Sequence, residues 1–150
     1  MLFKLAKCFA TYCYIGLLPK MPGTWGSIFA LPLAWLLYKA GTVWYLVAYN
    51  LITILGIIAS YIYSKEVGKE DPDEVVIDEV AGILTVFLIA PFNLWSAIAG
   101  LILFRLIDIT KPFPINELEK LPYGVGIMVD DILAGAVAGF LLYAAWRFLF

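Results

Sequence analysis

The residues able to do chemistry in this sequence are few. Ten Lys plus Arg and twelve Asp plus Glu stand among 150 residues, and there is no His. Without His there is no imidazole acid–base chemistry, no Ser-His triad and no imidazole metal ligand. Cys8 and Cys13 match neither a zinc spacing nor a disulfide framework, and they read as small packing residues. Polar catalysis must therefore use carboxylates, Lys, Arg, hydroxyls, backbone, or a metal held by oxygen. Asp78 and Glu79, Asp108, and Asp130 and Asp131 border apolar runs. Charge there is costly and usually functional. Five carboxylates from three segments suit a hard cation. Mg²⁺ is favoured because it takes one or two carboxylates together with waters and substrate phosphate, with Mn²⁺ as the alternative.

Each signal also has an ordinary reading. Acids in the first turn of a helix favour its positive end, which accounts for Asp78, Glu79, Asp130 and Asp131 if helices start there. It does not account for Asp108, which falls at a helix C-terminal end. Arg105, Asp108 and Lys111 follow at i, i+3 and i+6, so the first two steps share a helix face. They read as an ion-pair ladder or as a carboxylate flanked by phosphate-binding cations. Pro112 should end that helix at Lys111, where a lipid headgroup would sit. Upstream, Lys20 precedes Pro22-Gly23-Thr24-Trp25-Gly26-Ser27. There Thr24 is a plausible N-cap, and backbone N–H groups with the Thr24 and Ser27 hydroxyls suit an anionic phosphate. The mixed run Lys65, Glu66, Lys69, Glu70, Asp71, Asp73 and Glu74 reads as a solvated loop, and Gly124-Val125-Gly126 as a flexible one.

The elements that must position these groups are apolar. The chain is 63% hydrophobic and 15% charged, with a net charge of −2 and a mean hydropathy of +0.93. Soluble domains carry about 25% charged residues, so a soluble monomer, a disordered tail and a nucleic-acid-binding domain are all disfavoured. The expected fold is all-α: a single-domain polytopic membrane bundle over residues 1–150, of about five transmembrane helices. Residues 1–18 form an interfacial or half-inserted helix. Spans are predicted at 21–38 and 43–63. The apolar run 80–104 breaks at Ala90-Pro91-Phe92-Asn93 into helices near 75–90 and 94–110, and a last span covers 132–150.

Charge asymmetry supports the break. With a hairpin at Pro91, Lys4, Lys7, Lys20, Lys65, Lys69, Arg105, Lys111 and Lys120 share one side, and Lys39 and Arg147 lie on the other. The side rich in positive charge is then cytoplasmic. The same topology gathers the five carboxylates at one membrane face. A small transporter using carboxylates for protons or cations is the competing class, but such sites lie near the bilayer midplane.

With these residues in place, the chain resembles the A-type phosphatidylglycerophosphatase family. The matching pieces are Pro22 to Ser27, Asp78-Glu79-Val80-Ala81-Gly82, Phe104-Arg105-Leu106-Ile107-Asp108 with Lys111-Pro112, and Gly126 to Asp131 with Ala134-Gly135. One departure is Pro122-Tyr123, where family members often carry a Gly-Gly pair. The resemblance implies a Mg²⁺-dependent lipid phosphatase of the bacterial inner membrane, working in phospholipid biosynthesis. It would hydrolyse the phosphate monoester of phosphatidylglycerophosphate within the bilayer, with no obligate protein partner. Asp78, Glu79, Asp130 and Asp131 would surround the metal. Asp108 would be a ligand or the base that orients water. Lys111 and Arg105, with Lys20, Thr24 and Ser27, would hold the phosphate. Asp108, Asp131, Asp78 and Lys111 would be the catalytic set.

Overall fold

A computed structural model describes residues 1–149. The described chain is helical, without strands, and runs α1 (Leu2–Ala10), a 3₁₀ turn (Ile15–Leu17), α2 (Pro22–Ala40), α3 (Thr42–Val67), α4 (Ile77–Ile89), α5 (Leu94–Thr110), α6 (Ile115–Leu118) and α7 (Tyr123–Leu149). The break expected at Pro91 is present. Asn93 caps α5, accepting the Ser96 N–H at 3.0 Å, while the Asn93 N–H donates to the Ser96 hydroxyl at 2.8 Å. This reciprocal box satisfies two helix-start donors and turns the chain back on itself.

α4 is the buried centre of the bundle. Every residue from Ile77 to Phe87 is buried, and α2, α3, α5 and α7 pack around it. Its closest partner is α7. A Cβ at Gly135 would lie 2.2 Å from the Gly82 carbonyl oxygen, and one at Gly82 would lie 3.0 Å from the Asp131 carbonyl oxygen. Small residues thus let the two backbones approach, the packing device of helices surrounded by apolar medium. Several hydroxyls inside the bundle find partners on neighbouring helices. The Tyr45 hydroxyl donates to the Leu84 carbonyl at 2.7 Å, and Tyr49 shares a hydrogen bond with Thr85 at 3.0 Å.

Two helices, Thr42–Val67 and the stretch Gly124–Leu149, are long and apolar enough to cross a membrane. Large apolar side chains cover the outside of the bundle, including Trp44, Leu51, Ile54, Ile58, Trp95 and Ile102. Membrane association follows from that surface, because a water-facing domain does not expose an apolar belt of this extent.

Three expectations need correction. α2 starts at Pro22 with Met21 as the N-cap residue, so Thr24 is not a cap. Pro at the first helical position, where no N–H is needed, is the physical reason. α7 starts at Tyr123, so Gly124-Val125-Gly126 is helical rather than a loop, and Asp130 and Asp131 lie about two turns inside the helix. Cys13 is exposed, in a hook of left-handed residues Tyr12, Cys13 and Tyr14 that follows α1, and does not serve as a packing residue.

Candidate active site

The carboxylates meet because two helices carry the same spacing. Asp78 stands four residues before Gly82 on α4, and Asp131 four residues before Gly135 on α7. One helical turn separates each pair. Where Gly82 and Gly135 touch, the parallel helices bring the two aspartates to one level. Glu79 adds a third group, and one oxygen of each of Asp78, Glu79 and Asp131 lies within 4.8 Å of the others.

These three side chains are buried, and each has an orphaned oxygen. Asp78 Oδ1, Glu79 Oε2 and Asp131 Oδ2 are inaccessible and have no hydrogen-bond partner. Buried carboxylate oxygens without partners are expensive. Three of them converging is the arrangement a hard divalent cation resolves, since such a cation takes oxygen donors only. The residues present therefore fit a hard divalent cation such as Mg²⁺ or Mn²⁺.

Next to this unpaired set stand two carboxylates already matched with cations. Arg105 donates through Nη1 to Asp108 Oδ2 and lies 3.5 Å from Glu79 Oε1. The Arg105 Nε remains buried without a partner. Lys111, the left-handed residue that ends α5, donates to Asp130 Oδ2 at 2.9 Å and to Glu119 Oε1 at 2.8 Å. Burial alone would lower the Lys111 ammonium pKa, but the bonds from Glu119 and Asp130 outweigh it and raise the pKa above its ordinary value. Asp130 Oδ1 also accepts the Asp131 N–H at 3.0 Å, so Asp130 is turned toward Lys111.

All of these groups except Glu119 line one cavity of about 350 Å³, together with Met21, Pro22 and Gly23 from the start of α2 and Asp71, Pro72, Asp73 and Val75 from the α3–α4 connection. The α2 start comes very close. A Cβ on Gly23 would sit 2.0 Å from Glu79 Oε1, so only glycine leaves that carboxylate its position. Asp71 is an exposed rim residue whose carboxyl is pushed up by partial burial, an effect opposed by Lys111. The run expected to be a plain solvated loop thus contributes part of the rim.

Of the ten residues singled out in the sequence, the cavity collects Asp78, Glu79, Arg105, Asp108, Lys111, Asp130 and Asp131. Lys20, Thr24 and Ser27 are not among its lining residues. Lys20 is exposed, and the buried Ser27 hydroxyl donates to the Gly23 carbonyl at 2.8 Å. Sequence reasoning missed Gly23 as a contact of Glu79 and Glu119 as a partner of Lys111. It also passed over the repeated Asp-x-x-Ala-Gly pattern at 78–82 and 131–135, which signals that α4 and α7 pack in register.

The phosphatidylglycerophosphatase A family model matches residues 8–146, nearly the whole chain. The chain belongs to this family. It is similar to the phosphatidylglycerophosphatase A of Escherichia coli strain K12, 37% identical over 140 residues that cover 85% of this chain and 76% of that protein. The Haemophilus influenzae Rd protein of the same name is 37% identical over 132 residues, covering 86% of this chain and 81% of its own. A Bacteroides thetaiotaomicron relative, provisionally named a phosphatidylinositol-3-phosphatase, is 38% identical over 142 residues, covering 89% of this chain and 88% of its own. No solved structure matches the chain at a significant level. Membership makes the chain an enzyme of a phosphatase family, and the transporter alternative is set aside.

Proposed function

We propose that this protein is a Mg²⁺-dependent phosphatase that cleaves the phosphate monoester of phosphatidylglycerophosphate, releasing phosphatidylglycerol and inorganic phosphate. The observation that carries the proposal is the convergence of three orphaned carboxylates beside two cations in one cavity, at one end of an apolar bundle. The family and the names of the relatives support the substrate.

Asp78, Glu79 and Asp131 would hold the cation. When bound, it supplies positive charge against the phosphoryl oxygens and the incoming water. The chain's own residues do the rest. Lys111 and the free Nε of Arg105 hold the phosphoryl oxygens and stabilise charge as it grows on them. Asp108, fixed by Arg105, orients the attacking water and accepts its proton. The water oxygen bonds to phosphorus, the bond from phosphorus to the glycerol oxygen breaks, that oxygen takes a proton from solvent water, and Asp108 returns its own proton to solvent. Asp130 holds Lys111 in place rather than facing the cation.

The proposed setting is the bacterial inner membrane, with the cavity on the cytoplasmic side and five helices, α2, α3, α4, α5 and α7, forming the bundle in the bilayer. α4 has 13 residues, a rise of only about 20 Å against a hydrocarbon core of about 30 Å. It is tolerated because its neighbours enclose it. Exposed Trp35, Trp44 and Trp95 gather at the opposite end from the cavity, where the Tyr38 ring also lies tilted beside Phe92, centroids 6.1 Å apart. Such residues favour the membrane interface. The glycerol and acyl portions would stay among the outer apolar faces while the headgroup phosphate enters the cavity.

The test is phosphate release by purified protein in detergent. Phosphatidylglycerophosphate should be hydrolysed in Mg²⁺ and not in excess chelator. Phosphatidylinositol-3-phosphate, run in parallel because of the Bacteroides relative, should be the poorer substrate. The reverse order would transfer the reading to phosphoinositides.

A further inference from the structure

Resting on that phosphatase reading, we infer that Glu119 is an electrostatic latch: its carboxylate occupies, at Lys111, the place of a phosphoryl oxygen, and substrate phosphate displaces it. Glu119 is a positioning residue that acts through Lys111. It belongs to neither the metal-binding set nor the groups that touch the reacting atoms.

Lys111 has three N–H donors. Two are spent, one on Asp130 Oδ2 at 2.9 Å and one on Glu119 Oε1 at 2.8 Å. A phosphate monoester arriving at this ammonium brings negative charge next to both carboxylates, and like charges around one cation repel. The two partners differ in freedom. The Asp130 side chain is 4% exposed and also accepts the Asp131 N–H, so its position is set by α7. The Glu119 side chain is 42% exposed. It follows the one-turn helix α6, in the connection between α5 and α7. Asp71 stands near the same Lys111 and adds to the repulsion felt by Glu119. Glu119 is therefore the partner that yields, turning to water with its carboxylate solvated. Until phosphate arrives, the Lys111 ammonium is shared between Asp130, which lines the cavity, and Glu119, which lies outside it.

A latch and a structural strut give opposite results when removed. Glu119→Gln keeps size and polarity but loses the charge that competes with phosphate. The expected result is a KM for phosphatidylglycerophosphate about three- to tenfold lower, with kcat changed less than about twofold. Glu119→Asp should restore wild-type KM. Binding of inorganic phosphate to the Mg²⁺-loaded protein, followed by ³¹P NMR titration in detergent micelles, should tighten by a similar factor in Glu119→Gln. That readout does not depend on turnover, so it still decides the latch if the lipid substrate is misassigned. A raised KM with a lowered kcat, or unchanged or weaker phosphate binding in folded Glu119→Gln, would overturn the inference. Thermal unfolding within a few degrees of wild type confirms that the variant is folded. If Glu119→Gln does not fold, Glu119→Ala is put through the same titration, with the same expected and overturning results.

Discussion

The cavity and the α6–α7 connection beside it hold two kinds of carboxylate, and the contrast between them is informative. Asp108, Asp130 and Glu119 are each bonded to Arg105 or Lys111. Asp78, Glu79 and Asp131 converge on one another, and each leaves a buried oxygen without a partner. The protein neutralises the first set itself. Among the described residues, the one cation in contact with the second set is Arg105, 3.5 Å from Glu79, so most of the set's desolvation cost is left without an opposite charge. In the proposed reading, the paired acids would position cations for phosphate, and the unpaired acids would take a metal cation of their own.

Breaking the unpaired set should have the largest effect. Asp78→Asn or Asp131→Asn removes a ligand and should lower phosphate release by at least about 10³-fold at unchanged expression, as expected for groups that act as a unit. Relief of buried repulsion should leave thermal stability equal to wild type or higher in metal-free buffer, which a melting curve in chelator checks. Arg105→Lys tests the boundary between the sets, since the Arg105 guanidinium contacts Glu79 of one and Asp108 of the other. A lysine cannot reproduce the planar fork, and activity should fall about 10²-fold in steady-state assays.

Smaller perturbations sharpen the same contrast. Gly23→Ala leaves every charge in place but pushes a methyl group toward Glu79 Oε1. Activity should drop about 10- to 100-fold, as when a metal ligand's support is disturbed, with a higher Mg²⁺ concentration needed for half-maximal rate. Lys69→Ala removes a fully solvated ion pair, Lys69 with Asp73 at 3.0 Å. Its thermal unfolding should match that of wild type, and activity should stay within about twofold of wild type.

Much of this was legible in the sequence because charge is scarce in it. The hairpin at Pro91 could be read from a helix breaker inside an apolar run, and seven of the ten named residues do line one cavity. The misses have physical causes. The charge-free run that marks the last helix begins at residue 132, so Asp130 and Asp131 read as helix-start residues. In the fold they sit within α7, where the helix dipole does not explain them. Thr24 and Ser27 looked like phosphate ligands because hydroxyls near a helix start usually point outward. Here Ser27 instead bonds back to its own helix. Glu119 was invisible as a partner because its contact with Lys111 crosses a connection whose path only the fold reveals.

The most direct measurement is Mg²⁺ binding and phosphate release followed together in wild type and Asp131→Asn. Calorimetric titration of metal-free protein in detergent should show Mg²⁺ binding to wild type, with phosphatidylglycerophosphate hydrolysis rising over the same concentration range. Asp131→Asn should lose both. Hydrolysis at full rate in chelator, or Mg²⁺ binding and turnover that persist in folded Asp131→Asn, would contradict a metal held by the unpaired carboxylates.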